Sequence, residues 1–271
     1  MPHHLSIFRF PFSPPSARYY NSDLSIWLSV DPMSDKYPST SPYTYCANNP
    51  VRLVDPNGRE IGDYYNWRGK RLGWDGAHND DVHFVSDRES IKLLKKSKSP
   101  VSTEHIKIDV TTTKKIINEA LKVYTRANKN GQTREESTYI STTGEFHATG
   151  PDVSKLSPNE EPNVYTEYKG KLLYTIHSHI PLWKKSRDER DVYTSSALRP
   201  STTGPKADIN THAQIQNVIV GSLGDAEWRT FPSGYGGYWD IPEMGAAFYD
   251  SEWNYKGSTT INALEKIIRK K

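Results

Sequence analysis

The pattern of apolar and polar positions divides the chain into three regions. Residues 1 to about 60 show little helical periodicity and are interrupted at short intervals by the turn signals DP, NNP and DPNG, which is typical of short strands and turns. Residues 61–105 are rich in Gly and Asp and then in Lys, and we interpret them as a linker or a peripheral hairpin. From 106 to 271, strand and helix patterns alternate, which predicts a compact α/β domain.

Two amphipathic helices are predicted in this last region. Between Thr113 and Arg126, apolar residues recur at i, i+3, i+4 and i+7, which favours a helix with one buried face. The stretch TTINALEKIIRKK places Ile261, Leu264 and Ile268 on one stripe and predicts a terminal helix, whose basic end suits the helix dipole.

The stretch GKLLYTIHSHIP predicts a strand that ends at a pair of histidines. The two-residue repeat of a strand puts His177 and His179 on the same face, and Pro181 then ends the ladder because it has no amide N–H. By itself the pair is also typical of an ordinary polar strand end. The later stretch KADINTHAQIQNVIVGS adds Asp208 at the expected N-cap of a helix, followed by a buried strand.

Two histidines and an aspartate give zinc three protein ligands and leave a fourth position for water, which is the arrangement of a catalytic site. The chain has one cysteine, so any metal site must be built from His and carboxylates. A carboxylate near that water would complete a hydrolase, and the predicted strand REESTYI offers Glu135 and Glu136. Adjacent strand residues face opposite ways, so only one of the two can reach the metal.

The charge and hydropathy of the chain limit which partners and which cellular location the sequence predicts. The net charge of +3 permits a nucleic-acid partner but does not signal one. No run approaches the roughly 18 apolar residues of a membrane-spanning helix, so we expect a soluble protein without a membrane partner. The Pro-rich opening MPHHLSIFRFPFSPPSARYY lacks the features of a secretory signal, so secretion would require another route.

The first region resembles a known family. The stretch ARYYNSDLSIWLSVDPMSDKYPSTSPYTYCANNPVRLVDPNG, from about Ala17 to Gly58, is similar to the RHS repeat-associated core domain, the conserved end of the shell of Rhs/YD-repeat proteins. In that family the shell encloses a variable C-terminal toxin that begins just after the DPxG motif. The resemblance implies an effector that acts in the cytoplasm of a competing cell and is neutralised by an immunity protein. Because only the tail of the shell is present, we expect a truncated or fragmentary gene.

Residues from about 110 to 235 resemble a second family, the JAMM/MPN (JAB) metallopeptidases, which also occur as toxin modules. HSHIP is similar to the family's H-x-H-P with Ile180 inserted, and ADINTH followed by VIVGS is similar to its Asp-headed helix and next strand. EESTYI is similar to the strand entry that carries the family's glutamate, in a register that selects Glu135 over Glu136.

The second resemblance implies a fold and a mechanism. The fold would be a central mixed sheet flanked by helices. Zinc would be bound by His177, His179 and Asp208, and Glu135 would act as general base in the hydrolysis of peptide or isopeptide bonds.

Two features depart from the JAMM pattern. The family's oxyanion-stabilising serine, three residues before the aspartate, is replaced by Pro205, so a neighbouring hydroxyl would have to fold back toward the metal. The candidate hydroxyls belong to Ser201, Thr202 and Thr203. The connection from Leu182 to Gly204 is longer than usual and predicts either a lid over the cleft or a solvated loop.

Two other functions remain open at this point. One is a metal-dependent nuclease toxin that uses His177, His179 and His212, favoured by the modest basic charge. The other is an inactive JAB-like binding module, favoured by Pro205. His147 is expected at a hairpin position, and the aromatic stretch FPSGYGGYWDIPEMGAAFYDSEWNYKG is expected to pack a small sheet or to contact substrate.

Overall fold

A computed structural model describes residues 20–21, 26–30, 41–44, 62–77, 79–156, 162–184, 192–201, 208 and 215–269. The described residues form a mixed α/β structure with several sheets and three α-helices. Those within 1–66, 70–114 and 269–271 belong to one compact unit, and those within 67–69 and 115–268 belong to another. No helix in the described part of the chain is long and apolar enough to cross a membrane.

In the first region, strands β1 (Tyr20–Asn21) and β2 (Ile26–Trp27) pair antiparallel. An isolated bridge joins Ile26 to Thr44. These elements agree with the short strands expected here. Most of the residues that resemble the RHS core lie outside the described residues.

Residues 62–114 form a small α/β fold, whereas the sequence pattern predicts a linker or hairpin for 61–105. Its strands are β3 (Asp63–Tyr65), β4 (Arg71–Trp74), β5 (Asp81–Phe84) and β6 (Val110–Thr113). They lie in the order β4-β3-β5-β6, with β3 and β5 parallel. Helix α1 (Arg88–Lys96) begins at the N-cap Asp87 and buries Leu94 against Tyr64 and Leu72. Strands of three or four residues are too short to show a clear two-residue repeat, so the pattern does not reveal them.

The second unit is built on a six-stranded sheet. Its strands and two separate hairpins are, in chain order, β7 (Glu136–Ser141), β8 (Gly144–Thr149), β9 (Leu172–Ser178), β10 (Leu182–Lys184), β11 (Val192–Thr194), β12 (Gln216–Ser222), β13 (Glu227–Thr230), β14 (Gly237–Asp240), β15 (Met244–Tyr249) and β16 (Tyr255–Thr260). The sheet has the order β16-β15-β12-β9-β7-β8 and is mixed, because β9 and β12 are parallel and the other neighbours are antiparallel.

The helices of this unit are α2 (Lys114–Lys129) and α3 (Ile261–Arg269), close to the two predicted amphipathic stretches. Helix α2 lies on one face of the sheet, where the Arg126 guanidinium donates to the carbonyl of Ser137 and the hydroxyl of Thr138, both at 2.9 Å. Side chains alternate along a strand, so Glu136 and Thr138 face α2 while Ser137 and Tyr139 face the other way. The candidate site lies on this second face.

Candidate metal centre

Three buried side chains converge where β9 ends. The Nε2 atoms of His177 and His179 are 3.3 Å apart. Asp208, in helical backbone, places Oδ1 3.2 Å from Nε2 of His177 and Oδ2 3.2 Å from Nε2 of His179. The three residues are 3%, 5% and 6% exposed, respectively. The structure therefore brings together the three residues that the sequence nominates as ligands.

The strand geometry explains why both imidazoles point the same way. His177 and His179 are separated by one residue, so they share a face, and the intervening Ser178 turns to the other face and accepts a hydrogen bond from the amide of Glu136 at 2.8 Å. The amide of His179 donates to the carbonyl of Val220 at 2.9 Å, which extends the pairing of β9 with β12 by one bond. A side chain at Gly221 would begin 3.4 Å from Cβ of His179, so glycine leaves room for this imidazole.

The backbone that follows the hairpin β10–β11 orients His179. Its Nδ1 lies 3.0 Å from the carbonyl of Ser196 and donates to it, which turns Nε2 toward Asp208. That carbonyl is held in place because the amide of Ala197 donates to the carbonyl of Ser222 at 2.9 Å, and the Tyr249 hydroxyl donates to the carbonyl of Ala197 at 2.7 Å. A fixed ring with one nitrogen on a backbone carbonyl is the usual arrangement of a metal-binding histidine.

Asp208 is oriented by Ser201. The Ser201 amide donates to Oδ2 of Asp208 at 2.7 Å, and the Asp208 amide donates to Oγ of Ser201 at 2.9 Å. Of the three candidate hydroxyls, the one that the structure describes, Ser201, therefore lies next to a proposed ligand. Thr202, Thr203 and Pro205 lie outside the described residues.

The charges of the three residues are strongly coupled. Burial raises the pKa of Asp208, but the neighbouring imidazoles of His177 and His179 outweigh burial and hold this pKa well below its usual range. Burial lowers the pKa of His179, but the hydrogen bond and charge of Asp208 raise it to about 9. Asp208 is therefore an anion at neutral pH, which is the form that binds a metal cation.

The register of β7 against β9 distinguishes the two glutamates. Ser137 is paired with His177, so Glu135, which directly precedes β7 and shares the face of Ser137, lies beside His179. Glu135 is 6% exposed. Its negative charge raises the pKa of His179, although burial and Asp208 have larger effects on that pKa.

Glu136 turns to the opposite face, toward α2. One carboxylate oxygen accepts from Asn130 at 2.9 Å, and the other accepts from the Thr149 hydroxyl at 3.0 Å and from Arg126 at 3.4 Å. These bonds give Glu136 a structural position in the interface between α2 and the sheet.

The distances fit a tetrahedral cation. Two atoms that each lie about 2.0–2.1 Å from a tetrahedral zinc are about 3.3 Å apart. The two Nε2 atoms are 3.3 Å apart, and each lies 3.2 Å from a different oxygen of Asp208. One ligand atom from each of the three residues lies within 4.8 Å of the other two. The buried group formed by His177, His179 and Asp208 can thus hold a metal ion.

Aromatic side chains that sequence reasoning missed lie on the same face of the sheet. Tyr139 stacks on Tyr168 with ring centroids 5.8 Å apart and meets the half-exposed Tyr165 edge-on at 6.4 Å. The two-residue repeat around Glu135 would have found Tyr139, because residues four apart in a strand share a face. These rings form an apolar wall near the charged group.

The remaining sequence candidates fall into three groups. His212 and residues 185–191 and 202–204 of the long connection lie outside the described residues; within that connection, β10 pairs antiparallel with β11. His147 is paired with Thr138 in the hairpin β7–β8, as expected. The aromatic stretch, residues 231–257, supplies β14, which pairs with the preceding strand β13 in a small sheet, and β15 of the six-stranded sheet. Trp239 of β14 packs edge-on against Trp228 of β13 at 5.7 Å.

Comparison of the chain with protein-family models, curated proteins and solved structures finds no match. The resemblances to the RHS core and to the JAMM metallopeptidases therefore remain expectations drawn from sequence motifs.

Proposed function

We propose that this protein is a zinc-dependent hydrolase of peptide or isopeptide bonds, of the JAMM type. The observation that carries the proposal is the convergence of His177, His179 and Asp208 at separations of 3.2–3.3 Å, with Glu135 on the same face of the sheet. Three buried protein ligands and a nearby carboxylate are the residues that metal-assisted hydrolysis requires.

His177, His179 and Asp208 would hold the zinc ion. When bound, zinc lowers the pKa of water to about 7 and polarises a carbonyl oxygen. The Ser196 carbonyl keeps His179 Nε2 directed at the ion, and the Ser201 amide keeps an Asp208 oxygen in place. These backbone bonds pre-organise the ligands, so little ordering is needed when the ion binds.

Glu135 would transfer the proton. Its carboxylate accepts a proton from the attacking water and gives it to the nitrogen of the leaving amine, so that one proton moves from one side of the scissile bond to the other. Glu136 is unsuited to this step, because its oxygens are engaged by Asn130, Arg126 and Thr149.

Among the described residues, Ser201 would be the hydroxyl that stabilises the developing oxyanion. Its Oγ accepts from the Asp208 amide, so its own O–H proton points elsewhere and can be donated to a substrate oxygen. This role replaces the serine that Pro205 displaces in the JAMM pattern.

The substrate and setting follow from the RHS-like first region. We propose that the hydrolase is the toxin part of an Rhs-type polymorphic toxin, delivered into the cytoplasm of a target cell. There it would cleave a protein or peptide and be blocked by an immunity protein. Nucleic acid is not part of this proposal, since the net charge is only +3.

Zinc content and peptide cleavage test the function together. The purified full chain should hold zinc at about one ion per chain in the predicted centre, and His177→Ala and Asp208→Ala should each lose it along with cleavage of peptide and isopeptide libraries. Zinc-loaded protein that cleaves RNA or DNA instead would favour the nuclease. Folded protein that takes up no zinc at this centre after reconstitution would reject the hydrolase and favour a binding module.

A further inference from the structure

A second group of potential ligands lies on the other face of the same sheet, where α2 covers β7 and β8. Glu119 belongs to α2, and Glu145 and His147 belong to the edge strand β8. One ligand atom from each of the three lies within 4.8 Å of the others. None of these residues takes part in the proposed hydrolysis.

Glu119 is a charged residue at a buried position of its helix. It falls within the buried stripe of α2 that includes Ile116, Ala120 and Val123, and it is only 2% exposed. Its Oε1 accepts from Lys122, whereas its Oε2 is fully buried and has no hydrogen-bond partner among the described residues. A buried carboxylate oxygen without a partner is costly, and native proteins satisfy such atoms, in some cases with an ion.

The neighbours of Glu119 favour a cation as the missing partner. Nδ1 of His147 lies 3.0 Å from the Thr138 hydroxyl, which fixes the ring and leaves Nε2 as the nitrogen that can bind a metal. Glu145 pairs through Oε1 with Lys115 at 2.8 Å. Both lysines that contact the carboxylates have exposed side chains, 57% for Lys115 and 63% for Lys122, so they can turn into solvent when an ion enters.

We propose that Glu119, Glu145 and His147 bind a divalent transition-metal ion that ties α2 to the edge strand β8. Two carboxylates and one imidazole are a ligand set that suits zinc or manganese. The ion would be structural, because it would join two elements behind the candidate catalytic face. It would also stabilise α2, which holds Glu136 through Arg126 and through Asn130, the residue that directly follows the helix.

The test separates this site from the candidate catalytic one. The full chain carrying both His177→Ala and Asp208→Ala is stripped with a chelator and titrated with zinc and, separately, with manganese. We expect about one bound ion per chain and a rise in melting temperature of about 5–10 °C at a metal concentration 100 times Kd.

Two further substitutions in the same background identify the ligands. His147→Ala removes an exposed ligand without disturbing the core, and Glu119→Gln replaces the buried carboxylate by an amide of the same shape; each should abolish the metal-dependent rise. Glu227→Gln, at an exposed position on β13, is the matched control and should leave the rise unchanged. A folded double variant that binds neither ion, or binding that survives both His147→Ala and Glu119→Gln, overturns the site. Neither result bears on the proposed hydrolase, because two of its three zinc ligands are already removed.

Discussion

Glu135 and Glu136 are neighbours in the chain, yet they occupy opposite faces of the six-stranded sheet. The difference follows from one feature, the antiparallel register that pairs Ser137 with His177. Glu135 then shares the face of the histidines, and Glu136 shares the face covered by α2. A shift of one residue in this register would exchange the faces that the two glutamates occupy. Substituting each glutamate in turn therefore tests the proposed role of Glu135.

Glu135→Gln should retain zinc but lower kcat by about 10²–10⁴-fold, because the amide cannot accept the proton of the attacking water. Glu136→Gln is the matched control. It should keep activity and lower the free energy of unfolding by about 1–3 kcal/mol, because its hydrogen bonds to Arg126 and Asn130 are weakened. Kinetics and urea denaturation measure the two effects, and a loss of kcat specific to Glu136→Gln would reverse the assignment.

Tyr249→Phe should weaken zinc binding by about 10-fold without removing any ligand. The hydroxyl of Tyr249 holds the Ala197 carbonyl at 2.7 Å, and the adjacent Ser196 carbonyl orients His179. Zinc affinity measured by competition with a chromophoric chelator tests this. Tyr255→Phe is the control, because the Tyr255 hydroxyl donates to the hydroxyl of Ser258 and not to the backbone beside His179. Equal affinity in the two variants would mean that the Ser196 carbonyl is positioned without Tyr249.

The elements of the second unit are organised around the paired strands β9 and β12. Because these two strands are parallel, their carboxyl ends lie at the same edge, where His179 and Gly221 meet. The antiparallel strands β15 and β16 then complete one side of the sheet and lead into α3. The turn between β15 and β16 is closed by Asp250, which accepts hydrogen bonds from the amides of Glu252 and Asn254 at 2.9 Å.

The stability contributed by this turn should depend on pH. Burial raises the pKa of Asp250, but the hydrogen bonds from Lys256, Asn254 and the turn amides together outweigh burial and hold this pKa well below its usual range. A carboxyl with a depressed folded-state pKa stabilises the fold above its unfolded pKa of about 3.9 and loses this contribution as the pH falls toward the folded value. Asp250→Asn should therefore lower the free energy of unfolding by about 1 kcal/mol at pH 7, after allowance for solvent screening.

Urea denaturation of the parent and of Asp250→Asn at pH 7 and at pH 2.5 measures this effect. The difference between them should shrink at the lower pH. A difference that is the same at both values would show that the charge of Asp250 does not stabilise the turn.

At the scale of the whole molecule, the chain divides into two compact units. The residues of the candidate centre all belong to the unit that contains 115–268, whereas α1 and the four-stranded sheet belong to the other. The first unit has its own core, in which Leu94 is 2% exposed and packs with Tyr64, Leu72 and Val85.

Leu94→Ala should destabilise the first unit by about 2–5 kcal/mol, because it leaves a cavity in this core. It should not change zinc affinity or stoichiometry, since no ligand lies in that unit. Thermal unfolding and zinc content of the same sample check both statements. Loss of zinc from the folded variant would show that the metal centre depends on the four-stranded unit.

Features that depend on neighbouring residues of the chain could be predicted from the amino-acid pattern alone. The two-residue repeat put His177 and His179 on one face of a strand, and the 3.6-residue repeat located α2 and α3 to within a few residues. Asp208 was nominated from its place before a helical pattern and a buried strand.

The tertiary structure decided what depends on residues far apart in the chain. Strand register assigned Glu135 and Glu136 to different faces, chain folding brought Ser201 and the Ser196 carbonyl to the ligands, and helix packing set Glu119 beside Glu145 and His147. The short strands of residues 62–114 also depend on pairing more than on their own pattern. Local periodicity specifies which way a side chain points along its own element, whereas the pairing of one element with another is specified only by long-range packing and hydrogen bonds.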